Sequence, residues 1–240
     1  MRKLKLILGF FAMTGQYAAF SQPFVPGDET HELQRISKMY GRQNSLSFDI
    51  TWQYRDTISQ ILPDEQMSAH YRLSEGRYHA RFDSLEIIQG FNYNLVVYHD
   101  MKIIVLSKPQ VLSKAMFQVS VLDTLFQQNL LSAMTVTIKP DSSRVLNIRY
   151  GPGEKFEYQV FYKPSTYRID SVKYAAPDPN SDSGVQYIVA RYGNYSTAAI
   201  DESCFMEGKF VYNDGSRFFL KPGFSTYELT VNGDLNNSDQ

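Results

Sequence analysis

The chain of 240 residues has few of the features that usually reveal a protein's chemistry. Its only cysteine is Cys204, so no disulfide can form within the chain. There are 24 Lys and Arg against 25 Asp and Glu, and the two signs are interspersed, which argues against a nucleic-acid-binding surface. No G-x-S-x-G, H-E-x-x-H or paired Cys/His spacing occurs. We therefore expect no enzyme activity, no metal site and no cofactor.

The thiol of Cys204 also lacks the setting of a reactive nucleophile. No basic residue neighbours it in the sequence to stabilise a thiolate. A buried structural cysteine is the preferred interpretation.

The first 21 residues have the pattern of a cleavable signal peptide. Basic residues among the first five positions precede the apolar segment 6–20, which is too short and too interrupted to span a bilayer comfortably. Ala19-Phe20-Ser21 places small residues where a signal peptidase requires them. We predict a signal peptide over residues 1–21 rather than a retained anchoring helix. The protein is then exported, with a periplasmic location favoured over an extracellular one.

The remaining sequence predicts one β-rich domain over residues 22–235 and a flexible polar tail at 236–240. Asp28 can cap a helix in which apolar residues recur every three or four positions, and Gly41 can end it. From Ser45 the apolar period changes to two, which predicts an amphipathic strand. Its apolar side comprises Leu46, Phe48, Ile50, Trp52 and Tyr54.

The clearest β-hairpin is predicted around a two-residue turn at Glu75-Gly76. In this register Ser74 faces Arg77, and the two strands agree on one apolar side. That side comprises Ala69, Tyr71, Leu73, Tyr78, Ala80 and Phe82. A further strand pair is predicted at 93–98 and 102–106, with a turn at His99-Asp100.

The other side of the hairpin carries His70, Arg72, His79 and Arg81. The two histidines are diagonal neighbours, about 7–8 Å apart between backbones, and such a pair can begin a metal site. The two arginines on the same side would repel a cation, so a solvated polar face is the preferred interpretation.

Residues 107–134 break the β pattern. From about Ser113 an apolar stripe at helical spacing predicts a second helix. The stripe comprises Met116, Val119, Leu122, Phe126 and Leu130. Strands then resume, separated by turn sequences at 140–143, 151–153, 163–166, 177–184 and 213–215. The predicted fold class is mainly β (α+β), a curved antiparallel sheet or unclosed barrel packed on two helices.

Aromatic residues are abundant, with 17 Tyr and 16 Phe, and many lie at alternating strand positions. For any single residue, an ordinary β core with tyrosine hydroxyls at its rim is a sufficient explanation. As a set, they also fit a curved sheet that is lined by aromatic rings and closed by helices, which would form a cavity for an apolar ligand.

Four segments resemble a known family in pattern and order: 76–82, 93–98, 161–169 and 184–192. In order, they resemble four parts of the periplasmic outer-membrane lipoprotein carrier and receptor proteins, the LolA/LolB-like family. These parts are the early hairpin, the next strand, a unit of two strands joined by a Lys/Pro turn, and the following strand, which begins with glycine. Residues 209–231 match no part of that family that we can name.

In that family an unclosed antiparallel barrel wraps over helices and shields lipid acyl chains in an apolar cavity. The resemblance implies a non-catalytic exported carrier for a lipid or lipoprotein acyl chain. The implied cavity lining is Phe48, Trp52, Tyr71, Tyr78 and Phe82, and the implied lid is Met116, Val119, Leu122 and Phe126. The alternative is an envelope structural or protein-interaction module with a solid core and no ligand.

Overall fold

A computed structural model describes residues 28–41, 44–55, 57, 63, 65–109, 131–150, 156–177, 184–232 and 235. The predicted signal peptide, the turn at 151–153, the apolar stripe from Met116 to Leu130 and the tail at 236–240 lie outside the described residues. Within the described ranges, no helix is long and apolar enough to cross a bilayer.

One α-helix lies in the described part of the chain, α1 (Asp28–Gly41). Ile36 and Tyr40 are fully buried, and Leu33 and Met39 pack against the same core. Their spacing of three and four residues places them on one side of the helix. The first predicted helix is therefore confirmed, including its end at Gly41.

The strands are β1 (Leu46–Arg55), β2 (Glu65–Ser74), β3 (Arg77–Phe82), β4 (Leu85–Gln89), β5 (Asn94–Tyr98), β6 (Ile103–Ser107), β7 (Leu131–Ile138), β8 (Arg144–Tyr150), β9 (Phe156–Lys163), β10 (Arg168–Pro177), β11 (Val185–Ser196), β12 (Val211–Asn213), β13 (Phe218–Leu220) and β14 (Glu228–Val231). Short 3₁₀ helices cover Glu202–Phe205, Glu207–Lys209 and Pro222–Phe224.

Twelve of the strands form one curved, unclosed sheet in the order β14-β6-β5-β4-β3-β2-β1-β11-β10-β9-β8-β7. β1 to β6 make one antiparallel meander and β7 to β11 make another, and the β1–β11 pair joins them. β14 runs parallel to β6, and β12 and β13 form a separate hairpin. This arrangement confirms the predicted mainly β, antiparallel and unclosed architecture.

The β2–β3 hairpin has the predicted register, from Ser74 opposite Arg77 to Ala69 opposite Phe82. Both turn residues are left-handed, with φ of 51° at Glu75 and 83° at Gly76. Two successive positive φ values match the twist of the flanking strands. The glycine adopts this conformation without steric conflict, which is why the turn forms at this point of the sequence.

Two elements differ from the sequence-based expectations. Leu131–Met134, expected to belong to the segment that breaks the β pattern, is part of β7, because the alternating residues from Met134 to Val136 pair with β8. β4 was not predicted at all. Its adjacent residues lie on opposite faces of the sheet, Ile87 partly buried on one and Ile88 fully buried on the other, so β4 lacks a simple polar and apolar alternation.

The sheet carries a hydrophobic core on each face. We call the face that packs against α1 the helix face and the opposite one the outer face. The core on the helix face includes Ile36, Tyr40, Phe48, Tyr71 and Tyr162. The core on the outer face joins β4, β5 and β6 to the C-terminal segment 202–231, through residues such as Ile88, Leu95, Ile104, Phe210 and Val211. Residues 209–231, which the resemblance described above does not include, therefore cover the outer face of β4, β5 and β6.

Glu207 fastens the C-terminal segment to the β4–β5 loop. Its Oε1 atom accepts hydrogen bonds from the backbone N–H groups of Asn92 and Tyr93, each at 3.2 Å. A Cβ atom on Gly90 would overlap this carboxylate. A side chain at position 90 must therefore push the carboxylate away from both amides.

Gly90→Ala should lower the free energy of unfolding by about 1–2 kcal/mol, the usual effect of losing such bonds, as measured by urea denaturation. Gly208→Ala is the control, since its Cβ would meet no atom within 4 Å. In a Glu207→Ala background, the effect of Gly90→Ala should nearly disappear. An equal loss in both backgrounds would show that the contact with Glu207 is not the cause.

Candidate functional site

The candidate site is an aromatic cluster on the helix face of β1, β2, β3 and β11. Phe48 lies at its centre, stacked on Tyr71 with ring centroids 5.4 Å apart and on Tyr192 at 6.0 Å. Trp52 stacks on Phe82 at 5.5 Å, and Tyr71 meets the Phe82 ring edge-on at 6.0 Å. The structure thus brings together four of the residues named from the sequence.

The strand register explains this convergence. Phe48 lies directly opposite Tyr71 in the β1–β2 pair, and Tyr192 lies opposite Ile50 in the β1–β11 pair. Side chains at such cross-strand positions on one face are within contact distance, and aromatic pairs there add to stability. Tyr78, the fifth residue named, is buried on the same face opposite Leu73.

Tyr192 was missed by the sequence-based reasoning. Ile188, Ala190 and Tyr192 alternate along β11, and the first two are buried in the sheet. This period of two was the available signal. The four lid residues named from the sequence, Met116, Val119, Leu122 and Phe126, lie outside the described residues.

An apolar surface continues from the aromatic cluster across β4, β5 and β6. We call it the apolar strip; it comprises Ile87, Val96, Tyr98, Ile103 and Val105. Ile87 lies opposite Ala80 of β3, so the strip adjoins the cluster. All five side chains of the strip are only partly buried.

The outer face of the same three strands is packed much more tightly. Five apolar side chains there are at most 1% exposed: Ile88, Leu95, Val97, Ile104 and Leu106. Soluble sheets usually bury one apolar face and leave a polar face in contact with water. In β4 to β6 the apolar strip on the helix face is partly exposed as well, and exposed apolar patches of this kind often mark binding surfaces.

The other end of the helix face is closed by polar contacts that fix α1 to the sheet. The Tyr40 hydroxyl accepts the Ile169 N–H at 3.0 Å and lies 2.5 Å from the Tyr195 hydroxyl, which donates to the Ile169 carbonyl at 2.8 Å. Tyr40 therefore donates to Tyr195. Burial raises the pKa of Tyr40 to about 12, so its hydroxyl stays protonated.

Glu32 of α1 makes a second set of contacts. Its Oε2 atom accepts from the Tyr162 hydroxyl at 2.5 Å and from Arg144 at 3.0 Å, and Oε1 accepts from Arg35 at 2.9 Å. Burial opposes the ionisation of Glu32, but the hydrogen bonds from Tyr162 and Arg144 outweigh it, and the pKa is lowered. α1 is thus held by a buried carboxylate.

On the outer face, the expectation of a uniformly solvated histidine surface was wrong for His79, which is 5% exposed. Its Nε2 atom lies 2.8 Å from Oε1 of Glu86. Arg72 lies 3.0 Å from Nδ1 and can only donate, so Nδ1 accepts this bond and Nε2 donates to Glu86. Glu86 comes from the unpredicted strand β4, which is why the sequence pattern did not reveal the burial.

The Glu86 carboxylate is also linked, through His99, to the C-terminal segment. Oε2 of Glu86 lies 3.1 Å from Nε2 of His99, whose Nδ1 atom is 3.0 Å from the Tyr227 hydroxyl. Hydrogen bonds from His79 and then His99 outweigh burial and lower the pKa of Glu86 to about 2. Glu86 is therefore an ionised, structural carboxylate.

The two histidines considered as a metal pair have separate partners. His70 is only partly buried, and its Nδ1 atom lies 2.6 Å from Oδ1 of Asp49. His79 is bound to Glu86 instead. Among the described residues, no group of three or more His, Cys, Asp or Glu side chains is placed to hold a metal ion.

Cys204 is half-buried. Burial raises the pKa of its thiol, which disfavours the reactive thiolate.

No protein-family model matches the chain, and a search of curated proteins gave no significant match. Solved structures are similar to it. An uncharacterised conserved protein from Thermus thermophilus shares 10% identity with a TM-score of 0.47, over 86% of this chain and 100% of that one. A LolA superfamily protein from Nitrosomonas europaea shares 12% identity with a TM-score of 0.32, over 75% of this chain and 98% of that one.

A third similar structure is the Pseudomonas aeruginosa MucA/MucB complex. The matched chain shares 14% identity with a TM-score of 0.38, over 82% of this chain and 68% of that one. A LolA superfamily protein is thus among the similar structures, and the sequence was found to resemble the same family; no function of those proteins is carried over to this chain.

Proposed function

We propose that this protein is an exported, non-catalytic binding protein that shields a lipid or lipoprotein acyl chain on the helix face of its sheet. The supporting observation is the contrast between the two faces of β4 to β6. The outer face is fully packed, whereas the apolar strip on the helix face is partly exposed. A ligand that covers the strip removes apolar surface from water, which is favourable at about 25 cal/mol per Å².

The dimensions of the surface suit a long apolar chain. Neighbouring strands lie about 4.8 Å apart, so the path from Trp52 on β1 to Val105 on β6 crosses about 24 Å of sheet. This is comparable with an extended acyl chain of a common membrane lipid. The site needs no acid, base or metal, since burial alone can provide the affinity.

Trp52 offers a direct reporter, because it is the only tryptophan in the chain and it stacks on Phe82 within the cluster. Spin-labelled stearic acid should quench its fluorescence in a saturable manner. Val105→Glu puts a carboxylate on the apolar strip and should weaken this binding at least about tenfold, since an unpaired charge is poorly tolerated in an apolar contact.

The matched control is Val189→Glu. Val189 is partly buried on the outer face of β11, opposite Gln53 of β1. This variant introduces the same charge away from the strip and should bind the probe like the wild type. Absence of saturable quenching in the wild type, or equal weakening by both substitutions, would show that the helix face is not the site.

A protein-interaction role is the second candidate, and the edge strand β7 favours it. β7 is the last strand of the sheet and has neither proline nor charged residues, and Ile138 is 68% exposed. Such edges readily accept an added strand from another chain. Crosslinks between β7 and a partner strand, together with lipid-free protein, would favour this role over lipid binding.

A further inference from the structure

The outer face of β7 to β11 carries cations around one phenyl ring. Phe161 of β9 alternates with Val160 and Tyr162, which are buried in the core on the helix face, so its ring lies on the outer face. The ammonium group of Lys139 is 4.6 Å from the ring centroid, and that of Lys173 is 4.8 Å from it. At such distances the ring attracts both cations. The two ammonium groups thus share one aromatic ring, which is only partly buried.

Two further cations lie on the same face. Arg191 of β11 is opposite Ser171 of β10, and Ser171 is opposite Phe161. Arg191 is therefore two strands away from the ring, which corresponds to about 10 Å. Lys163 follows Phe161 by two residues on β9 and stays on the outer face for that reason. We call the four exposed cations the cationic face: Lys139, Lys163, Lys173 and Arg191.

Little negative charge accompanies the cationic face. None of its four cations forms an ion pair with a carboxylate in the described part of the chain. The described strands β7 to β11 contain two carboxylates. Glu157 lies opposite Arg149, and Asp170 interacts with tyrosines of the helix face. Asp141, in the turn after β7, interacts with Lys139 but is also bonded to its own turn. The face is therefore net positive.

This arrangement suits a flat, anionic partner. Side chains on one face of neighbouring strands project in the same direction, so the four cations present their charges side by side. An acidic peptide is usually bound in a groove or along a strand edge, whereas anionic lipid headgroups form an extended negative plane. Clusters of four or more Lys and Arg side chains attract such a plane. A partly exposed aromatic ring among them also suits the headgroup region, where aromatic side chains are frequent.

We propose that the cationic face docks the protein on membranes that contain anionic phospholipids, through contacts of its ammonium and guanidinium groups with lipid phosphates. The docking surface lies on the side of the sheet opposite the apolar strip. The proposal goes beyond the proposed function and does not depend on it, because headgroup charge and acyl chains are recognised on different faces.

Sedimentation with vesicles tests this surface. The purified protein should bind vesicles made of equal parts of phosphatidylglycerol and phosphatidylcholine, and it should bind phosphatidylcholine vesicles at least about tenfold more weakly. Both kinds of vesicle offer acyl chains, so the difference reports the headgroup charge. Raising the salt concentration from about 0.1 M to about 1 M should release the protein, because it shortens the screening length from about 10 Å to about 3 Å.

Substitutions assign the binding to the cationic face. Lys139→Gln/Lys173→Gln removes the two ammonium groups on the ring and should weaken binding to the anionic vesicles at least about tenfold. Arg191→Gln, which leaves the ring contacts unchanged, should weaken it about fivefold. The matched control is Lys38→Gln/Lys209→Gln, which removes two exposed lysines from α1 and from the C-terminal segment. It changes the net charge equally and should bind like the wild type.

Equal binding of the wild type to both kinds of vesicle would overturn the proposal, as would equal weakening by the two double variants. Binding to polyglutamate but not to the anionic vesicles would also overturn it and would assign the cationic face to an acidic protein. None of these results bears on acyl-chain binding to the helix face, which the quenching of Trp52 measures separately.

Discussion

Glu32→Ala should lower the free energy of unfolding by about 1–3 kcal/mol, because it leaves the buried Tyr162 hydroxyl without its acceptor. The Glu32 side chain is 8% exposed and joins α1 to Arg144 at the start of β8 and to Tyr162 on β9. Without the carboxylate, the Tyr162 hydroxyl loses its acceptor in a buried position. We therefore expect α1 to detach more easily from the β7 to β10 side of the sheet.

Urea denaturation followed by circular dichroism measures this loss. Glu29→Ala is the matched control, since Glu29 lies in the first turn of the same helix and is only partly buried. It should change stability by less than about 0.5 kcal/mol, as surface substitutions usually do. Equal effects of the two substitutions would mean that Glu32 acts only through helix propensity.

Glu86 should make the stability of the protein strongly dependent on acid pH. Its pKa is lowered from the ordinary 4.5 to about 2, chiefly by the hydrogen bond with His79. A lowered pKa in the folded state stabilises the protein fully above pH 4.5 and progressively less as the pH falls towards 2. This difference corresponds to about 3 kcal/mol.

Glu86→Gln removes the ionisation and should flatten this part of the pH profile. Glu32 and Asp49 also have lowered pKa values, so the wild type and the variant share some acid sensitivity. The readout is therefore the difference between their unfolding free energies at pH 6 and at pH 2. Glu228→Gln, at an exposed position on β14, is the control and should keep the wild-type profile. Parallel profiles for Glu86→Gln and the wild type would contradict the role of Glu86.

The local sequence was sufficient to predict the structure where residues close together in the chain determine it. The Glu75-Gly76 turn fixes the β2–β3 register, and the spacing of Leu33, Ile36, Met39 and Tyr40 identifies the buried side of α1. The alternation along β1 placed Phe48 and Trp52 on the correct face. In each case the signal lies within about ten residues, which is the range over which turn and periodicity rules act.

Prediction of burial from the sequence failed where a segment far away in the chain covers the surface of a strand. His79 alternates like a solvated residue along β3, yet Glu86 and the C-terminal segment bury it. β4 lacks alternation because residues 202–231 add a core to its outer face. Neither effect is encoded near the residues concerned, since both depend on contacts between parts of the chain far apart in sequence.

The outer core also explains how the apolar strip can be left partly exposed. Ile88, Leu95 and Ile104 pack with Phe210 and Val211, so β4 to β6 are held together from the outer side. The side chains on the helix face of β4 to β6 are then not needed to hold these strands together. The strip can serve binding because the C-terminal segment stabilises the strands that carry it.

Native mass spectrometry of the protein purified without detergent from its source cells tests lipid binding most directly. We expect a wild-type species heavier by the mass of one acyl lipid. The same species should be present for Val189→Glu and absent for Val105→Glu. Lipid-free masses for all three proteins, with no uptake of added acyl lipid, would show that the protein does not bind acyl lipids.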